Sequence, residues 1–157
     1  MVQERELNCD VLVAGGGMAG VACALAAARC GAKVILCQGR PVLGGNASSE
    51  VRMHICGADC SGGRGMPLET EAREGGIVEE VRLEACVRNP QRSPSMFDLI
   101  LYDKCRAEPN LSLMLNTIIC SAEVTNELVE RVIADRPSTE DRFMISAKVF
   151  VDCTGDG

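Results

Sequence analysis

Three side chains that could act in catalysis lie close together in the segment "SSEVRMH". Histidine titrates near neutral pH, so His54 could accept or donate a proton during a reaction. Arg52 could bind an anionic group, and the hydroxyl of Ser49 could donate a hydrogen bond. We therefore predict Ser49, Arg52 and His54 as candidate catalytic residues. Two other interpretations remain open: Arg52 could form a structural ion pair with Glu50 or another acid, and His54 could be a packed, hydrogen-bonded side chain.

A group of glycines precedes this segment. Gly15, Gly17 and Gly20 match the pattern G-x-G-x-x-G within "GGGMAG". In this pattern the first glycine permits a tight turn, the second has no side chain to obstruct a pyrophosphate, and the third lets a helix pack closely on a strand. Free N–H groups and the positive end of the helix dipole would then bind the pyrophosphate. A glycine-rich turn without a ligand is the alternative.

The segments on either side of the glycines predict a strand–turn–helix–strand unit. Asp10–Ala14 is a short apolar run that indicates a buried strand. Val21–Cys30 predicts a helix of small residues, and Gly31 stands where a helix C-terminal glycine is common. Lys33–Cys37 predicts the next strand. This context favours a dinucleotide-binding turn over a chance glycine pattern.

The end of the second strand departs from the usual pattern. An acidic residue that binds a ribose is expected about 20 residues after the glycines, and this chain has Gln38 there. The amide oxygen of Gln38 can still accept a bond from a ribose hydroxyl. Replacing a charge-assisted bond by a neutral one costs about 1 kcal/mol, so we expect Gln38→Glu to bind a dinucleotide equally or modestly more tightly. Arg40 is available for a 2′-phosphate, which leaves the dinucleotide undecided.

The composition excludes several classes of protein. Of the 157 residues, 46% are hydrophobic and only 3% aromatic, so the core of the single expected domain must be aliphatic. The net charge of -6 argues against nucleic acid or anionic membrane as a partner. The N-terminus lacks an apolar signal core, and no segment approaches the ~18–20 apolar residues of a membrane span. We therefore predict a cytoplasmic protein that binds neither nucleic acid nor membrane.

The ten cysteines are more consistent with thiols than with disulfides, because there is no signal peptide. His54, Cys56 and Cys60 form the densest group of metal-ligating residue types. This group is incomplete as a metal or iron–sulfur site, and small residues that fill tight space are the simpler interpretation. We predict no metal site.

The rest of the chain predicts a loop, two helices and further strands. Arg40–Gly65 is glycine-rich and without periodicity. Ile77–Val87 has apolar residues at helical spacing, and Ser95 with Asp98 matches a capping box that would begin a second helix through Ala107. The predicted strands, the later ones forming an antiparallel meander, are Leu111–Leu115, Ser121–Ala134, Phe143–Phe150 and Lys148–Asp152. The strand and glycine turn at the end of the chain suggest that the parent protein is longer.

The segment "RPVLGGNASSEVR" distinguishes between dinucleotide-binding families. A dehydrogenase that binds only a nicotinamide cofactor does not require Gly44 and Gly45 so soon after the second strand. With "HICGAD", "NPQRSPSMFDLILYDKCRAEPNLSL" and the closing "VDCTGDG", the chain resembles FAD-dependent oxidoreductases with the glutathione-reductase-like flavin fold. The resemblance extends over nearly the whole chain.

The resemblance implies an α/β fold: a Rossmann-like FAD-binding domain with a parallel sheet, flanking helices and a small antiparallel β-meander, incomplete at the C-terminus. It implies that FAD is the cofactor and supplies the redox chemistry. The implied FAD contacts come from both glycine segments and the closing turn: Gly15, Gly17, Gly20, Gln38, Arg40, Gly44, Gly45, Asn46, Ser48, Thr154 and Gly155. Ser49, Arg52 and His54 would lie near the flavin. Family members usually have Glu at position 38.

We predict that residues 1–157 are the N-terminal part of an FAD-binding domain. It comprises a β–α–β unit at 10–38, a glycine loop at 40–65, a helical insertion at 66–108, and a strand with meander at 111–157, without a substrate domain. The predicted function is the FAD-binding portion of a flavin-dependent oxidoreductase that acts on an unidentified small molecule. The resemblance suggests a carbohydrate context, and the chain alone is expected to be inactive. A non-catalytic or truncated nucleotide-binding module and an NAD(P)-binding dehydrogenase remain alternatives.

Overall fold

The computed structural model describes residues 2–55 and 75–155. The sequence-predicted group of His54, Cys56 and Cys60 is therefore only partly described, as are the loop at 40–65 and the insertion at 66–108. The strands are β1 (Gln3–Ala14), β2 (Val34–Gln38), β3 (Leu111–Leu115), β4 (Ile118–Thr125), β5 (Leu128–Arg136) and β6 (Asp141–Asp152). The helices are α1 (Met18–Arg29), α2 (Gly76–Arg88) and α3 (Pro94–Ala107), with a short 3₁₀ turn at Gly45–Ala47.

The strands form a six-stranded mixed sheet in the order β3-β2-β1-β6-β5-β4. β1 pairs in parallel with β2 and β6, and β2 pairs in parallel with β3. β5 pairs antiparallel with both β4 and β6. The predicted fold class, a parallel sheet with flanking helices and an antiparallel meander, is therefore confirmed.

Each face of the sheet contributes to a different apolar cluster. Successive side chains of a strand point to opposite faces, so Val13 and Leu36 pack with the helices while Leu12 and Ile35 pack with side chains of the other strands. All five residues of β2 are buried, which is expected of a strand covered on both faces. The helix-side cluster contains small residues such as Ala24, and these allow α1 to lie close to the sheet.

β1 begins seven residues earlier than the predicted strand, at Gln3 instead of Asp10. The additional segment is polar and carries no local strand signal. It pairs with the first half of β6, where Gln3 lies opposite Asp141, and Nε of Arg5 is 3.0 Å from Oδ1 of Asp141. The strand is thus formed by a pairing partner distant in sequence, which a local pattern cannot indicate.

The meander is built around a tight hairpin. β4 and β5 are joined at Asn126 and Glu127, both of which have positive φ, 50° and 66°. Two central residues with positive φ are typical of hairpin turns whose twist matches that of the strands. β6 is one continuous strand where two overlapping strands were predicted.

The predicted capping box at the start of α3 is wrong. The N-cap is Ser93, and Pro94 is the first helical residue, a position that suits proline because its missing N–H has no helical partner there. Asn89 and Ser93 hold the preceding turn by two reciprocal bonds: Ser93 N–H donates to Oδ1 of Asn89 (2.8 Å) and Nδ2 of Asn89 donates to Ser93 O (2.7 Å). Asp98 binds a different segment, described below.

The cysteines in the described ranges are free thiols. Burial raises the pKa of the Cys37 and Cys105 thiols to about 12, so both remain protonated at neutral pH and behave as small apolar side chains. Among the described residues, no helix is long and apolar enough to cross a bilayer.

Candidate cofactor site

Two glycine segments lie side by side at the carboxyl end of the parallel strands. Gly44 N–H donates to Gly16 O at 2.8 Å, and Gly17 and Gly44 form a short parallel bridge. A side chain on Gly45 would lie 3.2 Å from the Cα of Gly17. The glycines after β1 and the glycines after β2 therefore form one continuous backbone surface.

The first and third glycines of the turn are required by the chain itself. Gly15 has a φ of +95°, and a Cβ there would lie 2.5 Å from the carbonyl oxygen of Cys153. A Cβ on Gly20 would lie 1.8 Å from the carbonyl oxygen of Gly15. Positive φ and close backbone approach are the two conditions that only glycine meets at no cost. These two residues bring α1 and the end of β6 against the turn.

Gly17 is different, because no protein atom among the described residues requires a glycine there. Its φ of -65° is ordinary, and no atom lies within 4 Å of the position that a Cβ would take. Gly17 is the N-cap of α1, whose first turn has no acidic residue. A side chain here would extend into open space in front of free helix N–H groups, which is the place where a pyrophosphate binds in such turns. The residues present therefore fit a dinucleotide.

Gln38 connects the two glycine segments. The N–H of Gly16 donates to its Oε1 at 2.8 Å, and its Nε2 donates to Val42 O at 3.0 Å. Only 8% of Gln38 is exposed. The amide that was expected to face a ribose is thus engaged by backbone at both ends, although Gln38 also contributes to the wall of the cavity described next.

A cavity of about 980 Å³ lies in front of the glycine segments. This is at the upper end of the range of small-molecule and cofactor sites, roughly 300–1,000 Å³. Nine of the eleven residues predicted to contact the cofactor lie in its wall: Gly15, Gly17, Gln38, Arg40, Gly44, Gly45, Asn46, Thr154 and Gly155. His54 also lies in this wall.

The other two predicted contacts, Gly20 and Ser48, lie behind the wall. Gly20 acts through packing, as above. Ser48 is 1% exposed, and its Oγ accepts a bond from Glu50 N–H at 3.3 Å. Its hydroxyl therefore shapes the loop after Gly45, and the predicted direct contact with a cofactor stays a prediction.

The three candidate catalytic residues are distributed around the loop. Ser49 lines neither of the two cavities at this loop, and its N–H donates to Oδ1 of Asp98 at 2.9 Å. Arg52 has a φ of 65°, donates from Nε to Ser49 O at 3.0 Å, and lies in the wall of a second, adjoining cavity. His54 lies in the walls of both cavities. Their catalytic roles stay predictions.

The ion pair in this region differs from the one considered from the sequence. Glu50 pairs with Arg40, with 3.0 Å between Oε2 and Nε, and not with Arg52. The pair lies at the edge of the larger cavity, where Arg40 is exposed. Such an exposed pair contributes little to stability, so its effect is to orient Arg40.

The sequence did not indicate the segment after β3, residues 117–119, which forms another part of the cavity wall. Thr117 N–H donates to Gln38 O at 2.9 Å, and its Oγ1 accepts a bond from Nε of Arg136 at 3.0 Å. Only the position of this segment after β3 could have indicated it, because the carboxyl ends of neighbouring parallel strands meet at one edge of a sheet and ligands bind there.

The closing turn is held by a carboxylate. The N–H and the hydroxyl of Thr154 both donate to Oδ1 of Asp152, at 2.8 and 2.6 Å. These bonds hold the pKa of Asp152 below its usual range, so the carboxylate remains ionised. The turn places Cys153, Thr154 and Gly155 in the cavity wall opposite the loop after β2.

The family profile described as "FAD dependent oxidoreductase" matches residues 10–157 of the chain. Since this is nearly the whole sequence, the chain belongs to the FAD-dependent oxidoreductase family. The cofactor of the family is FAD, in agreement with the cavity and its glycines. No curated protein matches the chain at the level of sequence.

Several solved structures share the fold of this chain. L-proline dehydrogenase from P. horikoshii is 18% identical, with a TM-score of 0.56 over 99% of this chain and 24% of that one. A geranylgeranyl bacteriochlorophyll reductase-like protein from Thermoplasma acidophilum is 17% identical, with a TM-score of 0.61 over 96% and 40%. Adenylylsulfate reductase from Archaeoglobus fulgidus is 15% identical, with a TM-score of 0.58 over 98% and 31%. The chain thus spans less than half of each of these proteins.

Proposed function

We propose that the chain binds FAD in the cavity of about 980 Å³ and so forms the cofactor-binding part of an oxidoreductase that acts on a small molecule. The observation that carries the proposal is Gly17. Neither its backbone angles nor its neighbours among the described residues explain a glycine there. A pyrophosphate bound at the start of α1 does explain it.

Different parts of the cavity wall would bind different parts of FAD. The N–H groups at the start of α1 and the backbone of Gly44 and Gly45 would bind the pyrophosphate. Gln38 would hold the two glycine segments in place, and residues 117–119 and 153–155 would enclose the remainder of the cofactor. FAD, when bound, supplies the electron transfer, while the protein supplies orientation and exclusion of water.

The substrate is proposed only as a class. Family membership supports an oxidoreductase, and we place the reaction beside the loop that carries Ser49, Arg52 and His54. The carbohydrate context has no support from the family profile or from the neighbouring structures. The same comparisons give no support to a nicotinamide-only dehydrogenase or to a non-catalytic nucleotide-binding module. The domain boundaries, the cytoplasmic location and the exclusion of nucleic acid and membrane stay predictions.

The substitution Gly17→Val tests the proposal. Because its φ is ordinary and the position of its Cβ is open, the variant should fold with an unchanged urea-unfolding midpoint in the absence of cofactor. Its side chain would occupy the pyrophosphate position, so FAD binding, measured by flavin fluorescence and absorption, should be lost.

Gly75→Val is the matched control, since Gly75 also has an ordinary φ (-103°) and no described atom near its Cβ position but lies outside the cavity wall. It should bind FAD like the unaltered protein. Retained flavin in Gly17→Val, or an unaltered protein that takes up no FAD, would contradict the proposal.

A further inference from the structure

A second cavity of about 720 Å³ adjoins the cofactor cavity. The two share a wall formed by Ala47 and by residues 53–55. The remainder of the second cavity is lined by one face of α2, by the turn after it and by the first residues of α3. A molecule in this cavity would therefore lie next to whatever occupies the first.

The face of α2 towards this cavity follows from helical spacing. Arg82, Ala85, Cys86 and Asn89 line the cavity, and their i, i+3, i+4 and i+7 spacing places them on one side of a helix. Ala85 and Cys86 are small, so they leave room between the arginine at one end and the turn at the other.

The turn between α2 and α3 holds a second arginine at this cavity. Arg92 has a φ of 54°, and its N–H donates to Asn89 O at 3.0 Å. Asn89 is itself 8% exposed and bonded to Ser93 at both ends of its amide. The backbone of Arg92 is therefore fixed by its neighbours, while its side chain is exposed and lines the cavity.

The cavity is strongly basic in a chain whose net charge is -6. Arg52, Arg82 and Arg92 line it with His54, and no aspartate or glutamate is among the lining residues in the part of the chain that the structure describes. Converging arginine guanidinium groups raise the local concentration of anions.

Two other arginines on the helices, Arg29 and Arg88, are neutralised by carboxylates. Arg29 contacts Glu80 and Glu108, and Arg88 contacts Glu84 and Asp103, at distances of 2.6–2.7 Å. Neither Arg82 nor Arg92 pairs with a carboxylate of residues 2–55 or 75–155. Like Arg52, these two arginines therefore face the cavity without an ionic partner within these ranges.

The start of α3 adds to the positive electrostatic potential at this cavity. Ser93, Pro94 and Phe97 line the cavity, and the first turn of α3 has neither a side-chain cap nor an acidic residue. The positive end of the α3 dipole is therefore directed towards the second cavity, and no side chain of the first helical turn neutralises it.

We propose that this second cavity is the substrate site and that the substrate is a small organic anion. Arginine guanidinium groups bind carboxylate and phosphate groups through paired hydrogen bonds, and Met53, Ile55 and Phe97 provide apolar contacts for a hydrocarbon body. The wall shared with the first cavity places the anion beside the cofactor. This inference rests on the proposed function, because it takes FAD as the occupant of the first cavity.

Anion titrations of the FAD-loaded full chain test the inference, with hexanoate and inorganic phosphate as probes at constant ionic strength. Binding is followed by calorimetry and by the change in flavin absorption. Arg82→Gln and Arg92→Gln should each weaken binding of the preferred probe about tenfold, because each removes a charge-assisted hydrogen bond. Arg82→Lys should recover part of the loss.

Arg106→Gln is the matched control, since Arg106 is an exposed arginine of α3 outside the cavity wall. It should leave anion binding unchanged. Equal weakening by all three glutamine variants, no binding of either probe, or binding that leaves the flavin spectrum unchanged would overturn the inference. Failure of the proposed function is distinguishable, because the protein would then take up no FAD while the calorimetric titration of the cofactor-free chain still reports on the arginine cavity.

Discussion

At the scale of single residues, Gln38 shows how a change of one functional group alters a site. Its orientation is fixed by its partners: the N–H of Gly16 requires an acceptor and the carbonyl of Val42 requires a donor. An amide supplies one of each. An ionised glutamate would accept the first bond but would place a second carboxylate oxygen against the Val42 carbonyl. This geometry reverses the expectation from sequence that Gln38→Glu is neutral or favourable.

We predict that Gln38→Glu destabilises the protein by about 2 kcal/mol near pH 8, because a buried carboxylate would face an acceptor. Burial would raise the folded-state pKa of this glutamate above its unfolded value of about 4.3. The variant therefore resembles the amide when protonated, and its stability falls as pH rises through that raised pKa. FAD affinity should fall in parallel.

The measurement is the urea-unfolding free energy of both proteins at about pH 5 and about pH 8, where the deficit of the variant should grow with pH. A variant that is as stable as the unaltered protein at the higher pH, or that binds FAD more tightly, would show that Gln38 faces the ribose and does not connect the loops.

At the scale of elements, α3 positions the loop after Gly45. Asp98, which is 8% exposed, accepts the N–H of Ser49 at 2.9 Å. One turn further along α3, the side chain of Leu101 lies against Gly44: a Cβ added to Gly44 would be 3.0 Å from it. The helix therefore fixes the loop at two points, one polar and one apolar.

We predict that Asp98→Ala lowers the free energy of unfolding by about 1–3 kcal/mol, because the N–H of Ser49 loses its acceptor in a buried place. FAD affinity should also fall, since the loop is then free to move away from Gly17. Asp98→Asn retains an acceptor oxygen, so its free energy of unfolding in urea and its FAD affinity should be close to those of the unaltered protein. Equal effects of Ala and Asn would show that the charge, and not the hydrogen bond, holds the loop.

The three helices are also connected by ion pairs. Glu80 of α2 contacts both Arg29 of α1 and Lys104 of α3, each at 2.7 Å. The side chain of Lys104 is only 9% exposed and also contacts Glu84. Hydrogen bonds from Arg29 and Lys104 lower the pKa of Glu80 to about 2, so the carboxylate stays ionised far into the acid range.

Since the folded-state pKa of Glu80 is lowered, its contribution is present above its ordinary pKa of 4.5 and is lost as pH falls towards about 2. We predict that Glu80→Gln lowers the free energy of unfolding by about 1 kcal/mol at neutral pH, a value that allows for solvent screening at this partly exposed group. The difference between the two proteins in thermal unfolding should shrink below about pH 4.

Glu130→Gln, on an exposed position of β5, makes the same change of charge and should have almost no effect. A loss in Glu80→Gln that does not depend on pH would indicate a packing effect in place of the ion pairs.

At the scale of the whole molecule, the sequence predicts those structural features that depend on residues close together in the chain. The glycine turn, α1, β2 and the loop with Gly44 and Gly45 follow from local spacing and turn chemistry. β2, for example, is a continuous apolar run between two glycines, and a strand buried on both faces produces such a run.

Features that depend on distant partners could not be predicted. The polar start of β1 is a strand only because β6 pairs with it. The two hydrogen bonds by which Gln38 connects the glycine segments depend on Gly16 and Val42 lying on either side of its amide, which the sequence does not indicate. Likewise the arginines of the second cavity belong to separate elements, and only the packing of α2 and α3 against the loop brings Arg52, Arg82 and Arg92 to one wall.

Amide hydrogen exchange with and without FAD tests most directly whether the cofactor occupies the cavity formed by the two glycine segments. We expect FAD to slow exchange simultaneously in the segments 15–19, 39–40, 44–46, 117–119 and 153–155, which contain the residues that line the cavity and the start of α1. The hairpin at residues 124–129 should be unchanged, and NAD should protect none of these segments. No protection by FAD, or protection confined to other segments, would contradict the account.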